Sequence, residues 1–158
     1  MTRRGYRSKT LAAWIALLGG SLGLHRFYLH GLTDAWGWVF PLPTVLGLIG
    51  VRRALVFGQD DRLSWLLIPL LGIALSVAML SAIVYALMPD ERWNDRFNGG
   101  VAVSRTGWGA VIGAALALLL GAGVLMATVA FSGQRFFEYR VAPEPAAALQ
   151  SNIARLIA

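Results

Sequence analysis

Residues 63–88 read LSWLLIPLLGIALSVAMLSAIVYALM, with Tyr85 their only ionisable side chain. As a helix rising 1.5 Å per residue, the run spans about 39 Å. Residues 107–131, GWGAVIGAALALLLGAGVLMATVAF, hold no ionisable group and reach about 37 Å by the same rise. The hydrocarbon core of a bilayer is about 30 Å thick, so each run crosses it with some tilt. The 158-residue chain is 57% hydrophobic and 14% charged, with mean hydropathy +0.62. An average soluble domain carries about 25% charge, so this chain has too little polar surface to coat a globule. Disorder is excluded by the same numbers. With no cysteine present, disulfide scaffolds, thiolate metal sites and cysteine nucleophiles are excluded as well.

The first half is less regular. Residues 11–24 (LAAWIALLGGSLGL) are apolar but too few to cross alone. Extended through Leu29, the helix reaches about 28 Å, with His25 and Arg26 in its last turn, snorkelling to the interface. Residues 34–57 form the return segment, N-capped by Thr33 or Asp34. Pro41 and Pro43 interrupt it, which predicts either a kink or a short interfacial piece over 34–40 followed by a helix from Pro43. The expected fold is therefore an all-α integral membrane protein: four transmembrane helices as two hairpins, followed by a short amphipathic C-terminal helix. Its parts are a basic cytoplasmic tail (1–10), a two-helix domain (11–57), a cytoplasmic loop (58–62), a second transmembrane hairpin (63–131) with an extracytoplasmic loop (89–106), and a cytoplasmic tail (132–158).

Lysine and arginine distribution orients this topology. Four crossings put ten of the fourteen on the side of the N-terminal tail, the 52–62 loop and the C-terminal tail. That side is cytoplasmic, which predicts a multi-pass protein of the cytoplasmic (inner) membrane with both termini inside. The loop at 89–106 balances Arg92, Arg96 and Arg105 with Asp90, Glu91 and Asp95. Because the basic residues form short clusters and no single stripe, the net charge of +6 points away from nucleic acid. No small-x-small cleavage site follows the first apolar run, so an uncleaved signal anchor is expected.

The run Gly19-Gly20-Ser21-Leu22-Gly23-Leu24-His25-Arg26-Phe27-Tyr28-Leu29, with Ser8-Lys9 ahead of the helix, resembles the TM-two domain family, the two-transmembrane-helix domain of many small bacterial and some eukaryotic membrane proteins. The resemblance covers roughly residues 8–57. It implies a membrane hairpin with a regulatory or interaction role and implies no reaction. His30 stands where many members have glycine, and the acidic residue often found late in their second helix has no counterpart before Arg52. Physically, Arg26 has five donors for phosphates or exposed helix-end carbonyls, and Phe27 and Tyr28 suit the interfacial aromatic belt. His25, Arg26, Phe27 and Tyr28 thus read either as a structural turn lock or as a recognition site for a lipid headgroup or partner protein.

Other candidates have plainer readings. His25 and His30 are interfacial polar residues with no further ligand to complete a metal or haem shell. Asp60 and Asp61 suit the N-cap of the third span, and Pro69 predicts a kink in it. Small residues recur every four positions in the third span (Ala74, Ala78, Ala82, Ala86) and in the fourth (Gly109, Gly113, Ala117, Gly121). Stripes of this kind let helices approach closely in lipid, so the two are expected to face each other. The first helix has its own stripe, Ala12, Ala16 and Gly20, with Gly19 and Gly23 beside it. Residues 135–140 read as an interfacial exit, and residues 146–158 place Leu149, Ile153, Leu156 and Ile157 on one face of a helix.

The function expected is a non-catalytic membrane adaptor, scaffold or regulatory interaction protein. The alternative is a small oligomeric transporter or channel component, which lacks a charged group in the two clear spans. An intramembrane enzyme is disfavoured, because no HExxH, GxSxG or paired in-membrane aspartate is present. The partners expected are the lipid bilayer and either another membrane protein or a second copy. No nucleic acid, metal or cofactor is expected.

Overall fold

The structure is a computed structural model that describes residues 6–58, 60–99, 103–141 and 153–156. It is all-helical, with no strand among the described residues. Three helical stretches are long and apolar enough to cross a membrane: Ala35–Phe57, Arg62–Leu87 and Trp108–Arg140.

Helix α1 (Lys9–Gly19) is capped by the Ser8 side chain and runs into a 3-10 turn, Gly20–Leu22. Gly23 ends that turn with φ +75°, and α2 (Leu24–His30) follows. After Gly31, Asp34 precedes α3 (Ala35–Val39), and α4 (Pro41–Phe57) starts on Pro41, where a missing N–H costs nothing. Asp61 caps α5 (Arg62–Leu87), its carboxylate accepting from Ser64 N at 3.2 Å. A short α6 (Asp90–Trp93) leads into a π turn, Asn94–Asn98, before α7 (Trp108–Val141).

The register of the long helices follows from their close approaches. Gly50 meets Leu67 and Gly47 meets Leu71, so α4 and α5 are antiparallel. Gly72 meets Thr128 and Gly121 meets Met79, so α5 and α7 are antiparallel too. Helix α1 lies in the groove between α5 and α7. Its start, Lys9, bonds to the Met88 carbonyl, and the Trp14 indole N–H donates to Gly109 O at 3.1 Å. At its other end Gly20 touches Ala78. The ten residues of α5 between these levels measure about 15 Å, roughly half the hydrocarbon thickness.

At that depth the chain turns back. Gly23 takes the left-handed conformation that glycine adopts without penalty, and a Cβ there would collide with the Gly37 carbonyl. Helix α2 then climbs beside α1 until the Tyr28 hydroxyl accepts a hydrogen bond from Ser8 N at 2.9 Å. Irregular backbone at membrane depth persists only where protein covers it. Here Gly20 is buried and the Thr44 hydroxyl donates to Ser21 O at 2.7 Å.

Two expectations are corrected by this hairpin. A continuous first span over 11–29 does not form, because the chain breaks at 20–23 and α1 and α2 lie side by side. Residues Arg7 to Lys9 consequently meet the 88–106 connection, at the end of the bundle opposite Gly58 and Asp61. The N-terminal segment and the 52–62 loop therefore do not share an end. The arginine bias rested on their sharing one, whereas Arg7 and Lys9 join the end that holds Arg92, Arg96 and Arg105.

The small-residue stripes are also redistributed. Ala74, Ala78, Ala82 and Ala86 are all buried, yet the stripe serves α1 as much as α7. Ala82 packs with Ala16, Leu17, Met79 and Ala117, while Ala86 packs with Ala13, Ala110 and Ala114. Gly121 faces α5, but Gly109 and Gly113 face Thr10 and Trp14 of α1. Gly19 is covered by Leu24 across the turn. Three helices meeting where two were expected explains why the core is mostly alanine.

Gly47 shows how little room the α4–α5 contact leaves. A Cβ there would lie 2.5 Å from the Leu71 amide nitrogen and 2.7 Å from its Cα. Backbone cannot swing aside as a side chain does, so Gly47→Ala is expected to cost about 1–3 kcal/mol by forcing the helices apart. Gly123, with nothing within 4 Å of an added Cβ, is the matched control. Thermal unfolding in detergent should show a lower midpoint for Gly47→Ala and an unchanged or higher one for Gly123→Ala.

The sequence reading of the C-terminal helix falls largely outside the described residues. Of its apolar positions, Ile153 and Leu156 are described and both are exposed. Residues 135–140, read as an exit, continue α7.

Candidate functional site

The four motif residues after Gly23 have four different surroundings. His25 is 1% exposed, far from the snorkelling position expected for it, because the turn at 20–23 swings α2 against α5 and the end of α3. Its ring stands edge-on to Phe40 at 5.3 Å and lies 5.8 Å from Tyr85. The His25 Nδ1 is buried with no hydrogen-bond partner among the described residues. Arg26, whose expected partners were phosphates or helix-end carbonyls, instead donates from Nε to Asp34 Oδ2 at 2.7 Å. This hydrogen bond spans the α2–α3 turn and holds the Asp34 carboxyl below its ordinary 3.8. Phe27 covers Gly37 and stacks at 5.2 Å against Trp38. Tyr28 ties α2 to Ser8, as above. His30 is exposed, edge-on to Phe97 at 6.2 Å.

A second cluster, read from the sequence only as a connecting loop, lies beside this motif. Trp93, Asn94, Phe97, Asn98 and Ser104 are all buried. Asn94 bridges the connection, its Oδ1 accepting from Ser104 N at 2.8 Å and from Asn98 Nδ2 at 3.0 Å, while its Nδ2 donates to Ser104 O at 3.1 Å. The N-terminal segment plugs into this frame. Arg7 N donates to Asn98 Oδ1 at 2.9 Å, and Arg7 O accepts from the Trp93 indole at 3.0 Å and from Asn98 Nδ2 at 3.3 Å. Lys9 N donates to Ser104 Oγ at 3.1 Å.

Lys9 itself is 1% exposed. A buried ammonium needs its three donors satisfied, and the Met88 carbonyl, Asp90 Oδ1 at 2.9 Å and Thr106 Oγ1 at 2.6 Å take them. Asp90 also accepts from Thr106 N at 2.9 Å and from the Thr106 hydroxyl. The sequence carried one signal for this cluster: Trp93 and Phe97 stand at i, i+4 in the otherwise polar run 90–98, the spacing of one helical face.

Those bonds give the junction a pH signature. Hydrogen bonds from Thr106, then from Lys9, lower the Asp90 carboxyl from 3.8 to about 2. A carboxylate depressed in the folded state stabilises it above the unfolded value, and that stability is lost as pH falls through the folded one. The thermal midpoint is therefore expected to fall between about pH 4 and pH 2. Asp34 and Asp61 are lowered by Arg26 and Arg53 and contribute to the same fall. Asp90→Asn should start lower at neutral pH and lose less over that window, which melting curves of both proteins would show.

At the opposite end Arg53 makes two bonds to Asp61, 2.9 Å from Nε and 3.0 Å from Nη2. That carboxylate also caps α5, as the sequence led one to expect of Asp61. Compared with family models, with curated proteins and with solved structures, the chain shows no match.

Proposed function

We propose that this chain is a non-catalytic integral membrane protein of the cytoplasmic (inner) membrane, built as three spans around a re-entrant helical hairpin, and that it works as an adaptor, scaffold or regulatory interaction protein. The observation that carries this reading is the character of its surface at membrane depth. An open groove of about 410 Å³ runs between α5 and α7, walled by Ile73, Val77, Leu80, Leu118 and Leu125. Its floor includes Ala117 and Gly121, and its one hydroxyl, Ser76, donates to Gly72 O of its own helix. Such a surface suits an apolar helix that packs on small residues. An ion path needs polar or charged lining.

Helical spans flanked by arginines support the inner membrane over one populated by β-barrels. The glycine-rich run into His25-Arg26-Phe27-Tyr28 supports kinship with the TM-two domain family, and on those residues alone we propose it. One observation favours the transporter or channel reading: His25, a titratable side chain with an unpartnered Nδ1, sits next to a broken helix, the arrangement that intramembrane ion sites use.

Two measurements on the full chain separate these readings. Ala122→Trp would fill the groove, and under the adaptor reading it releases a partner cross-linked in native membranes while melting stays unchanged. Proton or ion flux into liposomes containing only this protein, abolished by His25→Phe, would overturn that reading in favour of transport.

A further inference from the structure

Between α2, the N-terminal segment and the π turn lies a cavity of about 270 Å³ that the adaptor reading does not use. Its lining is Arg7, His30 and Arg96 over an apolar floor of Leu29 and Phe97. Among the described residues no carboxylate lines it. Among the described residues neither Arg7 nor Arg96 is paired with one, whereas Lys9, Arg26, Arg53 and Arg135 each are. Two guanidinium groups facing one cavity repel each other, and an anion between them removes that cost.

The two arginines are also held from behind. The Arg7 backbone is fixed at three points by Trp93 and Asn98. Arg96 belongs to the turn that Asn94 and Asn98 brace, and its guanidinium lies 5.6 Å over the Phe97 ring. His30 packs edge-on against the same ring. A site whose donors are positioned before the ligand arrives loses less entropy on binding, and guanidinium forks match the paired oxygens of a phosphate. At roughly 30 Å³ per water, the cavity has room for a phosphate group and several waters. We propose that Arg7, His30 and Arg96 form a binding site for a phosphate oxyanion, carried by a phospholipid headgroup or free in solution.

The test uses the full chain in a neutral detergent and two probes, inorganic phosphate and phosphatidylglycerol. Binding is read from the rise in melting temperature with probe concentration, against sodium chloride at equal ionic strength and against phosphatidylcholine. The proposal expects at least one probe to saturate. Its apparent affinity should fall at least tenfold in Arg96→Gln and in Arg7→Gln, and stay unchanged in Arg105→Gln, an exposed arginine of the same connection. Saturation by phosphatidylglycerol alone identifies a lipid headgroup, and saturation by inorganic phosphate alone identifies the free anion. No saturation by either probe, or saturation equally strong in both variants, would overturn the proposal. Arg96 is exposed and among the described residues its side chain makes no hydrogen bond to the junction, so its loss leaves the fold in place. Because this readout is independent of the groove between α5 and α7, failure here and failure of the adaptor reading are separate results.

Discussion

Trp93→Ala is expected to destabilise the protein by about 3–5 kcal/mol, the range for removing a large aromatic from a closed core. Trp93 is fully buried and packs with Ala12 of α1, Leu29 of α2 and Phe97 of the π turn. Its ring lies 4.5 Å from Phe97 and 6.1 Å from Tyr85. One side chain therefore joins α1, α2, α5 and the π turn. The truncation also removes the indole N–H from Arg7 O, leaving Asn98 as that carbonyl's remaining side-chain donor. Trp93→Phe keeps most of the packing but not the donor, and should cost about 1–2 kcal/mol. Melting in mild detergent that ranks the proteins wild type, Trp93→Phe, Trp93→Ala is the expected order.

The second large effect is expected at Lys9. Lys9→Met keeps the bulk of the stem and removes the ammonium, stranding the Met88 carbonyl and the Asp90 carboxylate. Breaking a buried ion pair from one side costs about 3–5 kcal/mol. The Asp90 side chain is 37% exposed, so water relieves part of this and about 2–3 kcal/mol is expected. The double variant Lys9→Met with Asp90→Asn should regain part of the loss, since no unpaired charge is then left. A double variant less stable than the sum of the two single ones would contradict the pairing.

How far the fold was legible depended on which physical signal each segment carried. Spans α5 and α7 could be read because apolar length alone specifies them: 63–88 is expected against Arg62–Leu87, and 107–131 against the first part of Trp108–Val141. Asp34 and Pro41 announced the start and break of the return segment through capping and proline chemistry, although α4 begins at Pro41 and not at Pro43.

The hairpin at 20–23 was not legible, because glycine has two uses with one signature. Gly20 permits close approach to Ala78, while Gly23 permits a left-handed turn. Beside a stripe of alanines, both read as packing. The turn also decides how charge is counted by ends, since it brings Arg7 and Lys9 to the end that holds Arg92 and Arg96.

The polar junction was hidden for another reason. Hydrogen bonds such as Arg7 to Asn98 or Lys9 to Asp90 join residues more than 80 apart in sequence and leave no periodic trace. Of the motif residues, the sequence did show that Arg26 would need an acceptor. It gave no way to choose Asp34 over a phosphate, because that choice depends on the angle between α2 and α3.

The central claim is that Arg7 to Lys9 and the 88–106 connection lie on one side of the membrane and the loop around Asp60 on the other. A chain without cysteine permits single thiols to be placed at Tyr6, Glu91 and Asp60, all exposed. Each variant is treated in sealed vesicles of one orientation with a membrane-impermeant maleimide, before and after permeabilisation. The re-entrant hairpin predicts that Tyr6→Cys and Glu91→Cys share one labelling pattern and that Asp60→Cys shows the opposite one. Tyr6→Cys labelling together with Asp60→Cys, against Glu91→Cys, would contradict it and restore four crossings.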